Sequence, residues 1–424
     1  MKYAIIIPDG CADKPVDVLG GKTPMQAART PNFDAMARTG IVGRSNNVPE
    51  GLSPGSDVAT LGLLGYDPTV YYTGRAPLEA AAQGIELAPE DWAIRCNFVT
   101  IAEINHGNVM ESFTAGHISS DEAAELIDSI NEKVAPLSPV KIRFYAGVSY
   151  RNLAVTREKA PFSKETKTFP PHDFTDRDID PALPVGDGAD FLRYLMDESR
   201  KVLESHPVNR RRIKAGKLPA TQVWLWGIGM KPRLPLFADR FASVLDGRPL
   251  SGAMITAVDL LRGIASIIGW DVVDVPGITG YVDTDYAAKG RYAAAALRDH
   301  DIVCVHVEAT DESGHEGSVE KKVKAMEDID EKVVPPILDA LKSYGDWRLF
   351  VSPDHPTPVA LKTHTSDYVP WLLAGSDIAA SSASAESYDE DAAKDSLWRF
   401  DRGCDMLEHF LRKPLTLPIA ARKS

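Results

Sequence analysis

Short apolar runs alternate with helix-like segments in two separated parts of this chain, residues 1–71 and 251–424. The runs at 3–7, 301–309 and 347–352 have the length and the β-branched content of buried strands. Strands that alternate with helices build a mainly parallel sheet with right-handed crossovers. We therefore predict one α/β domain made from both ends of the chain, with helices flanking a mainly parallel sheet.

The segment between these parts, residues 72–250, has a different pattern. Residues 92–101 alternate apolar and polar side chains, as half-buried strands do, and residues 120–134 form an amphipathic helical pattern. We predict that 72–250 is a smaller, inserted α+β domain. In the C-terminal part, we predict single helices over 253–268 and 319–344.

Composition limits the classes of function. At 424 residues the chain is long enough for two domains, and 44% hydrophobic residues are typical of globular proteins. A net charge of −13 argues against nucleic acid or an anionic membrane as a partner. The four cysteines are scattered, and no stretch approaches the roughly 20 apolar residues of a membrane span. These features predict a cytoplasmic protein.

Polar residues follow the predicted strands in four short clusters. In parallel sheets, ligands bind beyond the carboxyl ends of the strands, so we expect these clusters to converge. The seven residues are Asp9, Ser56, Asp311, His315, Asp354, His355 and His364.

Carboxylate, imidazole and hydroxyl groups together are the ligands of two-metal phosphoryl-transfer sites. Asp311 and His315 are spaced i and i+4, so they can face one side of a helical turn. Ser56 begins a helical pattern, where its hydroxyl could be a nucleophile or merely an N-cap. Each histidine taken alone is more typical of a structural residue than of a metal ligand, and the prediction rests on their combination. His306, inside an apolar strand, is interpreted as a hydrogen-bonded core residue.

Several strings combine these clusters with their flanking residues: Ile7-Pro8-Asp9-Gly10, Pro54-Gly55-Ser56-Asp57, Gly74-Arg75-Ala76-Pro77, Pro276-Gly277-Ile278-Thr279-Gly280, His306-Val307-Glu308-Ala309-Thr310-Asp311 and Asp354-His355. They resemble the archaeal type of cofactor-independent phosphoglycerate mutase, within the alkaline phosphatase superfamily. The resemblance runs over nearly the whole chain and is weakest at residues 159–219.

The resemblance implies an alkaline-phosphatase-like fold and two divalent metal ions, most often Mn²⁺, with Zn²⁺, Co²⁺ and Mg²⁺ as alternatives. Ser56 would be the phosphorylated nucleophile and would share one ion with Asp9, Asp354 and His355. Asp311, His315 and His364 would hold the other ion. The substrate would be a small phosphorylated anion, and 3- and 2-phosphoglycerate would interconvert without bisphosphoglycerate.

The string Met110-Glu111-Ser112-Phe113-Thr114-Ala115-Gly116-His117 departs from the family pattern, so substrate contacts are harder to assign. We expect them among Arg75, Arg95, His117, Arg211 and Lys289, each of which could instead be a surface or salt-bridge residue. Two other functions fit the same site. One is a phosphatase, or a mutase for another small phosphorylated metabolite, and the other is a non-catalytic, metal-stabilised scaffold. The oligomeric state stays open.

Overall fold

The structure, a computed structural model, describes residues 1–104, 107–157, 160–245, 247–381, 383–412 and 415. The chain divides into two compact units, residues 1–72 with 233–424, and residues 73–232. The inserted segment was predicted to end at 250, but residues 233–250 belong to the first unit. The reason is packing: the Phe237 ring lies 4.8 Å from that of Trp270, and Arg240 Nε donates to the Gly65 carbonyl at 2.9 Å.

The elements are numbered here in chain order. The strands are β1 Lys2–Pro8, β2 Ile41–Ser45, β3 Trp92–Ile104, β4 Gly107–Ser112, β5 Lys141–Val148, β6 Arg151–Arg157, β7 Gln222–Met230, β8 Gly252–Ile255, β9 Asp271–Val272, β10 Ile302–Val307, β11 Trp347–Val351, β12 Val369–Gly375 and β13 Arg399–Phe400. The helices are α1 Pro24–Ala27, α2 Pro31–Thr39, α3 Ser56–Leu63, α4 Pro68–Tyr71, α5 Arg75–Ala82, α6 Ser120–Lys133, α7 Ala189–Glu204, α8 Pro207–Lys214, α9 Phe237–Arg240, α10 Asp259–Ile267, α11 Tyr286–Ala296, α12 Ala309–Glu316, α13 Val319–Asp328, α14 Val334–Ser343, α15 Glu390–Lys394 and α16 Met406–Leu411.

The first unit is built on a sheet with strand order β13-β2-β12-β11-β1-β10-β8-β9. Only β12 runs against its neighbours, β11 and β2, and the other neighbouring pairs are parallel. The central strand β1 is buried from Tyr3 to Pro8 without alternation, because both faces of the sheet are covered. The predicted α/β class and mainly parallel sheet are confirmed.

Two predicted helices are wrong in part. Residues 252–255 form β8, which pairs with β10 in the sheet, and the helix α10 begins only at Asp259. The predicted helix over 319–344 is interrupted by a π-helical turn, Ile329–Val333, between α13 and α14. Asp330 in this turn accepts hydrogen bonds from the backbone N–H groups of Asn32 and Phe33 at 3.1 and 2.7 Å. The turn therefore provides a partner for the otherwise unpaired N-terminus of α2.

The second unit is an antiparallel sheet with strand order β4-β3-β6-β5, and β7 pairs with β3. The helices α6 and α7 pack on β5 and β7. Its core includes the buried residues Phe98, Leu126 and Trp224. The helix α6 begins with a capping box in which Ser119 and Glu122 bond each other's backbone N–H groups. Within the described residues, no helix is both long and apolar enough to span a membrane.

Candidate metal centre

The sheet topology brings the predicted clusters to one edge. The neighbouring strands β11, β1 and β10 run parallel, so their carboxyl ends lie side by side. Asp9 follows β1, Asp354 follows β11, and Asp311 lies in α12 directly after β10. Since β12 is antiparallel to both β11 and β2, β2 also ends at this edge, and the loop after it leads to Ser56.

The first group of side chains surrounds the Ser56 hydroxyl. Ser56 Oγ donates to Asp9 Oδ2 at 3.2 Å and lies 3.4 Å from His355 Nε2. That nitrogen is 3.7 Å from Asp9 Oδ1 and 3.5 Å from Asp354 Oδ2. Asp9, Asp354 and His355 are almost completely buried, whereas Ser56 is half-buried. The Ser56 hydroxyl is therefore more exposed than the buried carboxyl groups of Asp9 and Asp354 beside it.

The position of Ser56 excludes one of the two interpretations of this residue. It is the first residue of α3, the N-cap position is occupied by Gly55, and no side chain caps the helix. The hydroxyl is directed to Asp9 and His355 instead of to the backbone of its own helix. A simple N-cap role is therefore wrong.

The second group is centred on Asp311. His315 Nε2 lies 3.2 Å from Asp311 Oδ2, and His364 Nε2 lies 3.4 Å from Asp311 Oδ1. The two imidazole nitrogens are 2.9 Å apart. Asp311 and His315 sit one turn apart on α12, as their spacing predicts. The ligand atoms of Asp311, His355 and His364 also lie within 4.8 Å of one another, so His355 is close to both groups.

The buried carboxyl groups of the cluster are stabilised in their ionised form by nearby positive charge. Burial, followed by the charges of Asp354 and Asp311, raises the pKa of Asp9 well above its usual range. Burial would also raise the pKa of Asp311, but hydrogen bonds from His315 and His364 hold it well below the usual range. The hydrogen bond to Asp311 raises the pKa of His315 to about 9. Protonated imidazole thus supplies charge that a divalent cation could supply instead.

The hydrogen-bonding state of the cluster fits a cation. Asp9 Oδ1 and Asp354 Oδ2 are buried and make no hydrogen bond. His315 Nδ1 and His364 Nδ1 face backbone carbonyl oxygens, those of Lys362 and Pro54, at 3.1 and 3.2 Å. A carbonyl oxygen can only accept, so both Nδ1 atoms carry hydrogen and both Nε2 atoms are directed at Asp311. This is the orientation of metal-binding histidines in general.

Three further residues belong to this cluster. His306, interpreted as a core histidine, is fully buried with its Nε2 2.9 Å from Asp9 Oδ2, and its Nδ1 faces Thr256 Oγ1 at 3.3 Å. Burial lowers its pKa to about 4. Lys289 Nζ donates to the His306 carbonyl at 3.0 Å, and burial lowers its pKa to about 8. Thr357, which the sequence did not single out, contacts both Asp311 and His355.

Of the five predicted substrate contacts, Lys289 alone lies in the first unit. In the second unit Arg95 is buried, forms a two-point ion pair with Glu79 at 3.0 and 2.9 Å, and stacks on Trp226 at 4.0 Å. Arg75 begins α5 and is half-buried. Arg211 pairs with Glu125 at 2.8 Å on an exposed surface, and His117 is exposed with φ 51°. Substrate binding by these residues stays a prediction.

Comparison with known proteins identifies the family. The family model described as 2,3-bisphosphoglycerate-independent phosphoglycerate mutase matches residues 37–209. A protein of that name from Methanothrix thermoacetophila is 46% identical over 408 residues, covering 96% of this chain and 98% of that protein. This chain belongs to the 2,3-bisphosphoglycerate-independent phosphoglycerate mutase family. The resemblance inferred from the short strings is thereby confirmed.

Two other members support the assignment to the mutase family. A protein of the same name from Methanosarcina barkeri is 48% identical over 395 residues, covering 93% of this chain and 95% of that protein. The solved structure of a cofactor-independent phosphoglycerate mutase from Thermoplasma acidophilum is 28% identical, with a TM-score of 0.63, and covers 96% of this chain and 99% of that one. The likeness to these proteins extends over both units of this chain.

Proposed function

We propose that this chain interconverts 3-phosphoglycerate and 2-phosphoglycerate through a phosphorylated Ser56, with two divalent metal ions and no bisphosphoglycerate. The observation that supports this most is the Ser56 hydroxyl, hydrogen-bonded to Asp9 at 3.2 Å and beside His355 at 3.4 Å. Membership in the mutase family supplies the reaction. A cytoplasmic location, consistent with four free cysteines, is part of the proposal.

The two side-chain groups would each hold one ion. Asp9, Ser56, Asp354 and His355 form the first set, and Asp311, His315 and His364 form the second. Oxygen and imidazole nitrogen ligands together suit Mn²⁺, with Zn²⁺, Co²⁺ and Mg²⁺ as alternatives. The ions, when bound, would neutralise phosphate oxygens and make the serine hydroxyl a better nucleophile.

The protein's own groups carry the bond changes. Ser56 Oγ attacks the phosphorus of 3-phosphoglycerate, the bond from phosphorus to the C3 oxygen breaks, and phosphoserine forms. Asp9 Oδ2, which accepts the Ser56 hydrogen, is placed to take that proton, which goes on to the C3 oxygen. The C2 hydroxyl then attacks phosphoserine, and its proton returns to Ser56. The sum is an isomerisation, with no net consumption of water.

Lys289 would stabilise this transfer from beside the carboxylates. Its ammonium is completely buried and donates to the backbone of His306, whose ring lies against Asp9. A buried cation there favours the negative charge that gathers on the transferring phosphoryl group. Arg75, Arg95, His117 and Arg211 remain the proposed contacts of the second unit with the substrate's anionic groups.

The test is a phosphorus NMR assay of the manganese-loaded protein with 3-phosphoglycerate, without added bisphosphoglycerate. We expect 2-phosphoglycerate to appear without free phosphate. Ser56→Ala should abolish the conversion, because no oxygen remains to carry the phosphoryl group. Ser53→Ala is the matched control, since Ser53 is an exposed serine in the same loop and should leave turnover unchanged.

Two outcomes would contradict the proposal. Release of inorganic phosphate in place of 2-phosphoglycerate would make the protein a phosphatase. Full turnover by Ser56→Ala would exclude the phosphoserine intermediate.

A further inference from the structure

Thr357 lies between the two proposed ligand groups. It follows β11 in the loop that carries Asp354 and His355, and its side chain is completely buried. Thr357 Oγ1 donates a hydrogen bond to Asp311 Oδ1 and lies 3.3 Å from His355 Nδ1. One hydroxyl thus contacts a side chain from each group.

The donors and acceptors around the Thr357 hydroxyl determine which ring nitrogen of His355 carries hydrogen. A carboxylate can only accept, so the single hydroxyl hydrogen of Thr357 goes to Asp311. The hydroxyl oxygen can then interact with His355 Nδ1 only as an acceptor, which requires hydrogen on Nδ1. His355 Nε2 is left with its lone pair directed at Asp9 and Asp354.

The surroundings hold Thr357 in a fixed position. Its backbone N–H donates to the Gly10 carbonyl at 3.2 Å, and its carbonyl accepts from Lys322 Nζ at 2.7 Å. A Cβ on Gly10 would lie 2.5 Å from Thr357 Oγ1, and one on Gly314 would lie 2.8 Å from its methyl carbon. Gly10 also has φ +61°. Two glycines therefore leave the space that the threonine side chain fills.

We propose that Thr357 is a positioning residue that orients the ligands of both metal ions, holding Asp311 through its hydroxyl hydrogen and His355 through its hydroxyl oxygen. The inference rests on the proposed function only in taking these two groups as metal sites. Contacts of this kind to metal ligands are typically worth 10- to 100-fold in metal affinity. Because one hydroxyl serves both groups, its loss should weaken both ions together.

The first test needs neither metal nor substrate. Long-range ¹H–¹⁵N NMR on metal-free protein with ¹⁵N-labelled histidine reports which ring nitrogen carries hydrogen, and His355→Gln assigns the signal. We expect hydrogen on Nδ1 of His355. A neutral ring with hydrogen on Nε2 would overturn the proposal, whether or not the protein is an active mutase.

The second test measures metal affinity by titrating metal-free protein with MnCl₂ in a calorimeter. Thr357→Val keeps the shape but removes the hydroxyl, and we expect both manganese dissociation constants to rise about 10- to 100-fold. Thr357→Ser keeps the hydroxyl and should stay within about threefold of wild type. Thr60→Val is the matched control, because Thr60 is a buried threonine of the first unit whose hydroxyl makes no hydrogen bond.

Equal affinities in Thr357→Val and wild type would refute the proposal. So would a Thr357→Ser protein that binds manganese as weakly as Thr357→Val. If Thr357→Val does not fold, the serine variant and the tautomer of the wild-type protein still decide the matter. Failure of the wild-type protein to turn over 3-phosphoglycerate would refute the proposed function and leave these binding results unaffected.

Discussion

The buried ion pair between Asp13 and Lys322 offers a quantitative test of how the metal-binding loops are held. Lys322 Nζ lies 2.7 Å from Asp13 Oδ2 and donates to the Thr357 carbonyl at 2.7 Å. Asp13 Oδ2 also accepts from the Val359 N–H at 3.1 Å. Both side chains are inaccessible to solvent. The pair therefore joins α13 to the loop after β1 and to the loop after β11.

Lys322→Met should destabilise the first unit by about 3–5 kcal/mol, because it leaves the Asp13 carboxylate buried without a counter-charge. Asp13→Asn should lower the unfolding free energy by about as much, since it leaves the Lys322 ammonium buried without a counter-charge. In the double variant no uncompensated charge remains. The double variant should therefore lose less unfolding free energy than the two single variants lose together, by about 2–3 kcal/mol.

Urea unfolding, monitored by hydrogen exchange on peptides from β1 and β11, reports the unfolding free energy of the first unit by itself. Lys324→Met is the matched control, because Lys324 pairs with Asp328 at 2.9 Å with 59% of its side chain exposed. It should cost less than about 1 kcal/mol. Single variants that cost as little as this control, or a double variant equal to the sum of the singles, would refute the reasoning.

Three further predictions concern pH, backbone and metal. Burial raises the pKa of Glu390 to about 7, so the folded state binds this proton more tightly than the unfolded state does, and the side chain's contribution is lost as pH rises from about 5 to 8. Glu390→Gln should therefore lose less stability than wild type over this interval, by up to about 3 kcal/mol in unfolding free energy, and an identical pH dependence would contradict this. Gly10→Ala should weaken manganese binding and lower the melting temperature, because φ +61° and contacts at 2.5–2.6 Å with Thr357 and Asp311 exclude a Cβ. A variant whose manganese affinity and melting temperature, both measured by calorimetry, equal those of the wild type would disprove this. Chelation of manganese from the loaded protein should lower the melting temperature, as mass action requires, and an unchanged value would argue against ions bound to the folded state.

The positions of the site residues could be predicted from the sequence because they depend on topology. Asp9, Asp311 and Asp354 each follow an apolar run, and parallel strands bring such positions to one edge whatever the details of packing. The i and i+4 spacing of Asp311 and His315 likewise depends only on helix geometry.

What escaped prediction depends on long-range packing. The sequence predicts a helix from residue 253, although 252–255 form β8, because a short run such as Gly-Ala-Met-Ile has no periodicity that separates a buried strand from a helix. Thr357 could not be predicted from the sequence, because its contact with Asp311 forms only when α12 packs against the loop after β11. The orientation of His306 toward Asp9 depends on the pairing of β1 with β10, where Ile7 lies opposite His306. The register between β1 and β10 cannot be predicted from a single sequence.

Crystals soaked in manganese and measured at its absorption edge would test the central claim most directly. We expect two anomalous peaks, one within coordination distance of Asp9, Ser56, Asp354 and His355, and one beside Asp311, His315 and His364. A crystal of the manganese-loaded, catalytically competent protein with no peak at either group, or with manganese held only elsewhere, would contradict the account.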